Sequence, residues 1–237
     1  MASPLLAKVG TCIVHSALGS QTCTLDSFWR DQTCIITFFR RLGCKFCRLE
    51  AKNLSHLKPA LDARNIKLMG ITFDEGGVKE FVDGHYFDGA DRKPCLRKSN
   101  NNCIIQRSSL LDFKLKPLFN IIVDLYLDPE RKTYKALEYK KVSACSGFCS
   151  LLTKAGRSLN SKAKAANIPG NMTGDGWQTG GLLVVEKGGK VLYHFEQKEV
   201  VNHPDYKQII DVLKINPKDV PEFATVLSQE CDDACKM

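Results

Sequence analysis

Apolar and polar positions alternate weakly from residue 9 to 15, which reads as a strand. SALGSQ then reads as a turn, with residues 22–25 pairing back as a hairpin. LDSFWR, with Asp26 or Ser27 placed to cap it, predicts a short helix. Residues 33–39, TCIITFF, are β-branched and aromatic with almost no polar break, the pattern of a strand buried on both faces. The period then changes. Cys47, Ala51, Leu54, Leu57 and Leu61 recur at steps of three and four, which predicts a helix over 45–62, kinked or split at Pro59. NIKLMGITF (65–73) returns to strand, and GVKEFVDGHYF gives a short helix followed by a loop.

Strand, helix, strand, helix in that order needs a crossover, and hence parallel neighbours in a sheet covered on both faces. Further on, GLLVVE (181–186) and KVLYHFEQ (190–197) flank Lys187-Gly188-Gly189, which predicts a hairpin with a tight turn. A helix from about 204 to 213 follows, capped by Asn202 or His203. A parallel βαβ unit, then an antiparallel hairpin and a closing helix, is the thioredoxin-like order. The expected fold is therefore α/β, a central mixed sheet flanked by helices. One domain is expected over 1–215, interrupted by an insertion at 90–123 and followed by a polar tail at 216–237.

Composition narrows the setting. At 237 residues with 43% hydrophobic, the chain can bury one good core. No apolar run reaches bilayer-spanning length, and the run before Lys8 is too short for a secretory signal. The closing DDACKM matches no lipidation or retention signal, so the cytosol is the expected location. The formal charge of +8 comes largely from residues 90–123 and the helix-like run SLNSKAKAAN at 158–167. Neither run carries the interleaved aromatics of a nucleic-acid surface, so the basic bias favours anionic substrates or an acidic partner instead. Eleven cysteines, without a signal peptide and with an ample core, read as mostly free thiols. Cys12, Cys23 and Cys34 lie in alternating or apolar runs and read as small hydrophobes. The sequence sets no oligomeric state.

Chemistry concentrates in FFRRLGCKFCRLEAKNL, residues 38–54. Cys44 falls just after the buried strand, in the first turn of a helix, where unpaired N–H groups and the helix dipole favour an anion. Arg40, Arg41, Lys45 and Arg48 crowd the same turn, so Cys44 is expected to be a thiolate near neutral pH. Cys47, one turn on, joins the apolar stripe and is expected to be the more buried, resolving thiol. A zinc site would want two further ligands at matched spacing, and CSGFC (145–149) and CDDAC (231–235) are spaced otherwise. Those two pairs read as loop or tail thiols. A structural crosslink is the remaining alternative, while a C-x-x-C on a βαβ pattern points to redox chemistry.

RRLGCKFCR, LDxxxIKLMGI, DGHYFDG, LYLDPERKTYKAL and the long block KAKAANIPGNMTGDGWQTGGLLVVEKGGKVLYHFEQK resemble the peroxiredoxin-like proteins. The similarity spans nearly the whole chain except residues 90–123 and the C-terminal end. It implies a thioredoxin-like fold and reduction of the endoperoxide of prostaglandin H, or of its ethanolamide, to the F-type product. It further implies no bound cofactor and no metal, with reduced thioredoxin as electron donor and NADPH behind it. The family's reactive pair carries over to Cys44 and Cys47, with Arg40, Arg41 or Arg48 stabilising a developing alkoxide. Two departures stand out. Gln178, Thr179 and Gly180 occupy the place where thioredoxins carry a cis proline. Typical peroxiredoxins have Thr three residues before the peroxidatic cysteine, a register that would make Cys47 the attacking residue and put Cys44 in the place of the Thr. Expected exposure favours Cys44 as nucleophile. A general thiol peroxidase or redox regulator on the same fold, and a non-catalytic zinc or interaction module, are the alternative functions. Segment 90–123 exceeds ordinary loop lengths and is expected to be a poorly ordered insertion at a loop.

Overall fold

The computed structural model describes residues 3–87 and 124–220. The expected insertion and most of the expected tail, with Cys231 and Cys235, therefore lie outside the described residues. The chain opens with helix α1 (Pro4–Gly10). Pro4 sits in its first turn, where a missing N–H costs nothing, and Leu6 and Val9 are buried. Residues 9 and 10 are thus helical, not part of the first strand as the weak alternation had predicted. Strands β1 (Ile13–Ser16) and β2 (Thr22–Thr24) pair antiparallel. A short helix α2 (Ser27–Arg30) leads into β3 (Cys34–Phe38), every residue of which is buried.

Two helices follow where one periodic run was expected. α3 (Lys45–Ser55) stops before α4 (Lys58–Ala63), and Pro59 lies in the first turn of the second. Next come β4 (Lys67–Thr72), α5 (Val78–Asp83), β5 (Asp124–Leu127) and α6 (Lys132–Ala136). α7 (Ala144–Leu152) and α8 (Lys154–Ala165) precede the hairpin of β6 (Gly181–Glu186) and β7 (Lys190–Glu196). Gly188 and Gly189 take the positive φ values that its turn requires. α9 (Tyr206–Val212) closes the order. Its cap is Asp205, which accepts from the Gln208 N–H, whereas Asn202 is spent accepting from the Glu199 N–H.

The seven strands run in the order β2-β1-β5-β4-β3-β6-β7. β3, β4 and β5 are parallel neighbours, while β6 pairs antiparallel on the other side of β3 and β7 antiparallel to β6. This is the thioredoxin-like mixed sheet, extended at one edge by β5 and the β1–β2 hairpin. Side chains of β3 alternate between two cores. Ile35 joins the side built with α3, α4, α5 and α9, while Cys34, Ile36 and Phe38 join the side built with α1, α2 and α6. Val220 packs into the first of these cores, so the fold continues past the boundary expected at 215. No described helix is long and apolar enough to cross a membrane.

The top of β3 is pinned by Tyr134, a fully buried residue of α6. Its hydroxyl lies 2.7 Å from the Phe39 carbonyl and 3.1 Å from that of Ile71, bridging the ends of β3 and β4. Tyr134→Phe is expected to cost about 2 kcal/mol, because buried carbonyls lose a donor. Denaturant titration checks it, and an unchanged midpoint would show that the bridge contributes nothing.

Candidate active site

β3 ends at Phe38, and the chain turns through Arg40, Arg41, Leu42 and Gly43 into Cys44, the residue that caps α3. Asp74, on the loop after β4, accepts from the Leu42 N–H and the Gly77 N–H and fixes this turn. The segment from Pro169 to Gly180 lies over it. Asn171 N–H donates to the Gly43 carbonyl at 2.8 Å, and a Cβ on Gly43 would collide with the Asn171 side chain. At the other end of the segment, a Cβ on Gly180 would stand 1.9 Å from the Phe38 carbonyl, so only glycine lets β6 start there.

All three arginines named from the sequence are buried rather than at the surface. Arg40 donates to the Gly176 carbonyl at 2.6 Å and, through Nη2, to Cys44 Sγ at 2.8 Å. Arg41 donates to the Asn171 carbonyl at 2.9 Å. Arg48 points elsewhere. It donates to the carbonyls of Leu42 and Pro169, pairs with Glu80 at 2.8 Å and lies over the Tyr86 ring. The fold thus brings Arg40 to the thiols and spends Arg48 on bracing the turn.

Cys44 and Cys47 are equally buried, at 6% exposure each, so the exposure difference expected from the sequence is absent. Two other features separate them. Cys44 lines the large groove described below, whereas Cys47 does not. Their proton affinities also diverge. A hydrogen bond from Cys47 and the Arg40 guanidinium hold Cys44 well below the usual thiol range against the opposing effect of burial, helped by the N–H groups of Phe46 and Cys47. That same hydrogen bond, together with burial and the Cys44 charge, pushes Cys47 well above it.

A carboxylate missed in the sequence completes the cluster. Glu50 lies three residues beyond Cys47 on α3, a spacing that sets the two on one helix face. Glu50 keeps part of its surface exposed, while its carboxyl accepts from Thr37 Oγ1 at 3.1 Å. Burial, with the Cys44 charge adding to it, pushes that carboxyl up to about 7.

The groove above Cys44 has a volume of about 560 Å3 and runs between the start of α3, helices α7 and α8, and the 170–177 segment. Its lining includes Phe148, Leu151, Met172 and Trp177, four of the large apolar side chains exposed at the surface. Cys145 and Cys149, read from the sequence as loop thiols, lie exposed on α7. Cys34 is a buried core thiol whose burial pushes it up to about 12, while Cys12 and Cys23 are half-buried. Among the described residues no group of three or more His, Cys, Asp or Glu gathers to hold a metal.

A stabilised thiolate at a helix start, beside a second thiol and after the central strand of a thioredoxin-like sheet, defines a thiol-dependent oxidoreductase of the peroxiredoxin-like class. Comparison with known proteins agrees. Residues 105–199 match the family model described as AhpC/TSA antioxidant enzyme. Prostamide/prostaglandin F synthase of Aquarana catesbeiana is 37% identical over 96% of this chain and 95% of its own length. That of Sus scrofa is 36% identical over 97% and 96%, and that of Homo sapiens 36% identical over 89% and 90%. Among solved structures, peroxidoxin BcpB of Mycobacterium tuberculosis superposes with a TM-score of 0.50 at 11% identity, covering 86% of this chain and 93% of that one. The chain belongs to the prostamide/prostaglandin F synthase family.

The electrostatics predict a pH profile. Iodoacetamide alkylation of Cys44 should inflect at a pH well below that of an ordinary thiol, which slows about tenfold per unit once below its pKa. Arg40→Gln should move the inflection upward, because a neighbouring cation is lost. An inflection in wild type at the usual thiol value would contradict the assignment.

Proposed function

We propose that this chain reduces the endoperoxide of prostaglandin H, or of its ethanolamide, to the F-type product through Cys44 and Cys47. One observation carries the reading: the thiol held as thiolate is the one that faces a large, mostly apolar groove. Its full-length relatives bear the name of that reaction's product.

In the first step Cys44 Sγ attacks one oxygen of the O–O bond. An S–O bond forms, the O–O bond breaks, and the other oxygen leaves as an alkoxide that takes a proton. The Arg40 guanidinium, already at Cys44, stabilises the charge as it moves from sulfur to oxygen. In the second step Cys47 gives up its proton and attacks Cys44 sulfur. A disulfide forms, and the second oxygen leaves and is protonated. Glu50 is the acceptor for the Cys47 proton, since it shares a face of α3 with Cys47, and loss of the Cys44 charge in the first step removes one of the causes that hold its carboxyl up. Two thiols are oxidised and one O–O bond is reduced, so the electrons balance. Reduced thioredoxin, with NADPH behind it, restores the dithiol by exchange. That supply fits a reducing compartment such as the cytosol.

Turnover of hydrogen peroxide, a lipid hydroperoxide and a prostaglandin endoperoxide, each with a thioredoxin regenerating system, tests the substrate. The endoperoxide should be preferred, and its lack of preference would leave only a general thiol peroxidase. Cys44→Ser should abolish turnover, whereas Cys47→Ser should stop after one equivalent or trap an adduct on Cys44. The reverse pattern would exchange the two roles. Glu50→Gln should slow disulfide formation by on the order of tenfold or more at pH 7, the scale of lost general base catalysis. It should leave the first step, attack of Cys44 on the endoperoxide, far less affected, and stopped-flow measurement of the two steps separates these outcomes.

A further inference from the structure

The groove over Cys44 carries more positive charge than the thiol chemistry uses. Arg40, Arg41, Lys45 and Arg157 all line it. Arg40 is committed to Cys44 and the Gly176 carbonyl, and Arg41 to the Asn171 carbonyl. Lys45 donates to the Asn160 side chain. Among the described residues, no hydrogen bond or ion pair engages the Arg157 side chain.

Its position is informative. Arg157 lies on α8 three residues before Asn160, so the two share a face about 4.5 Å apart along the helix. Asn160 holds Lys45, the residue next to Cys44. The polar side of the groove therefore runs from the reactive sulfur through the Lys45–Asn160 contact to a guanidinium with no partner among the described residues. Its other walls carry Phe46, Phe148, Leu151 and Trp177. Large apolar side chains rarely gather on a surface without a ligand to cover them. An apolar trough with one unpaired, fork-shaped cation at a distance from the reacting group suits a long-chain carboxylate, whose two oxygens match a guanidinium.

We propose that Arg157 binds the carboxylate of the lipid acid and thereby sets the preference between the free acid and its neutral ethanolamide. This rests on the endoperoxide reading above. An ethanolamide fills the same trough but offers Arg157 no negative charge, so the two ligands differ in the contact that this residue makes.

The test uses the full chain and the stable F-type products, one as free acid and one as ethanolamide. Trp177 lines the groove and the other tryptophan, Trp29, is buried in the opposite core, so binding is read by quenching of tryptophan emission. Wild type should bind the acid more tightly than the ethanolamide. In Arg157→Gln the ratio of ethanolamide Kd to acid Kd should fall roughly fivefold, the scale of a partly solvated ion pair. Arg157→Lys should restore most of it. Raising the salt should erode the same ratio in wild type but not in Arg157→Gln. An equal loss for both ligands would reduce Arg157 to packing and overturn the proposal, as would an unchanged ratio. Failure of either lipid to bind would also overturn it and leave the trough to a protein partner. Charge-dependent binding without turnover of the endoperoxide would instead sink the reductase reading while Arg157 kept its role.

Discussion

A guanidinium that is almost wholly buried has to find a counter-charge, since an unpaired buried ion is among the most costly features a fold can contain. Arg40 donates to the Gly176 carbonyl, and the anionic partner it reaches is a sulfur, 2.8 Å away. The pairing works in both directions. Arg40 holds Cys44 in its thiolate form, and the thiolate makes a buried Arg40 tolerable. Each unit by which a thiol pKa falls corresponds to about 1.4 kcal/mol of preference for the anion. Cys47, hydrogen-bonded to Cys44, buried and facing its charge, holds its own proton more tightly than an ordinary thiol. In the proposed reaction this difference orders the two sulfurs in time.

The long segment between α8 and β6 makes this arrangement possible. Arg40, Arg41 and Arg48 each donate to one of its backbone carbonyls, those of Gly176, Asn171 and Pro169. Carbonyls so used stabilise cations without adding titratable charge, and they hold the segment down as the upper wall of the groove. Packing and chemistry are coupled here: loosening the segment would free Arg40 from Cys44 as well as open the groove.

Much of the sheet was legible in the sequence because its strands are buried on both faces. TCIITFF and GLLVVE contain little else than β-formers, and Pro59 marked the break between α3 and α4. The misread parts lack such signals. CSGFC is built from weak helix formers, so α7 looked like a loop until its packing against α8 was seen. The burial of the arginines, and the bracing role of Arg48, could not be read because their partner carbonyls lie 121 to 136 residues away in sequence. Glu50 left a usable trace, an acid one turn beyond a cysteine on an apolar helix face. Arg157 left none, because a single cation in a basic, helix-like run means nothing until the groove beside it is known.

The claim on which all of this depends is that reduction of one endoperoxide oxidises the Cys44 and Cys47 thiols to one disulfide. Anaerobic mixing of the fully reduced chain with a single equivalent of prostaglandin endoperoxide, quenched with acid and a thiol block, measures it directly by peptide mass spectrometry. The account predicts one F-type product per chain and one disulfide joining Cys44 to Cys47, with Cys145 and Cys149 still alkylated as free thiols. Product without that disulfide, or oxidation lodged on other cysteines, would contradict it.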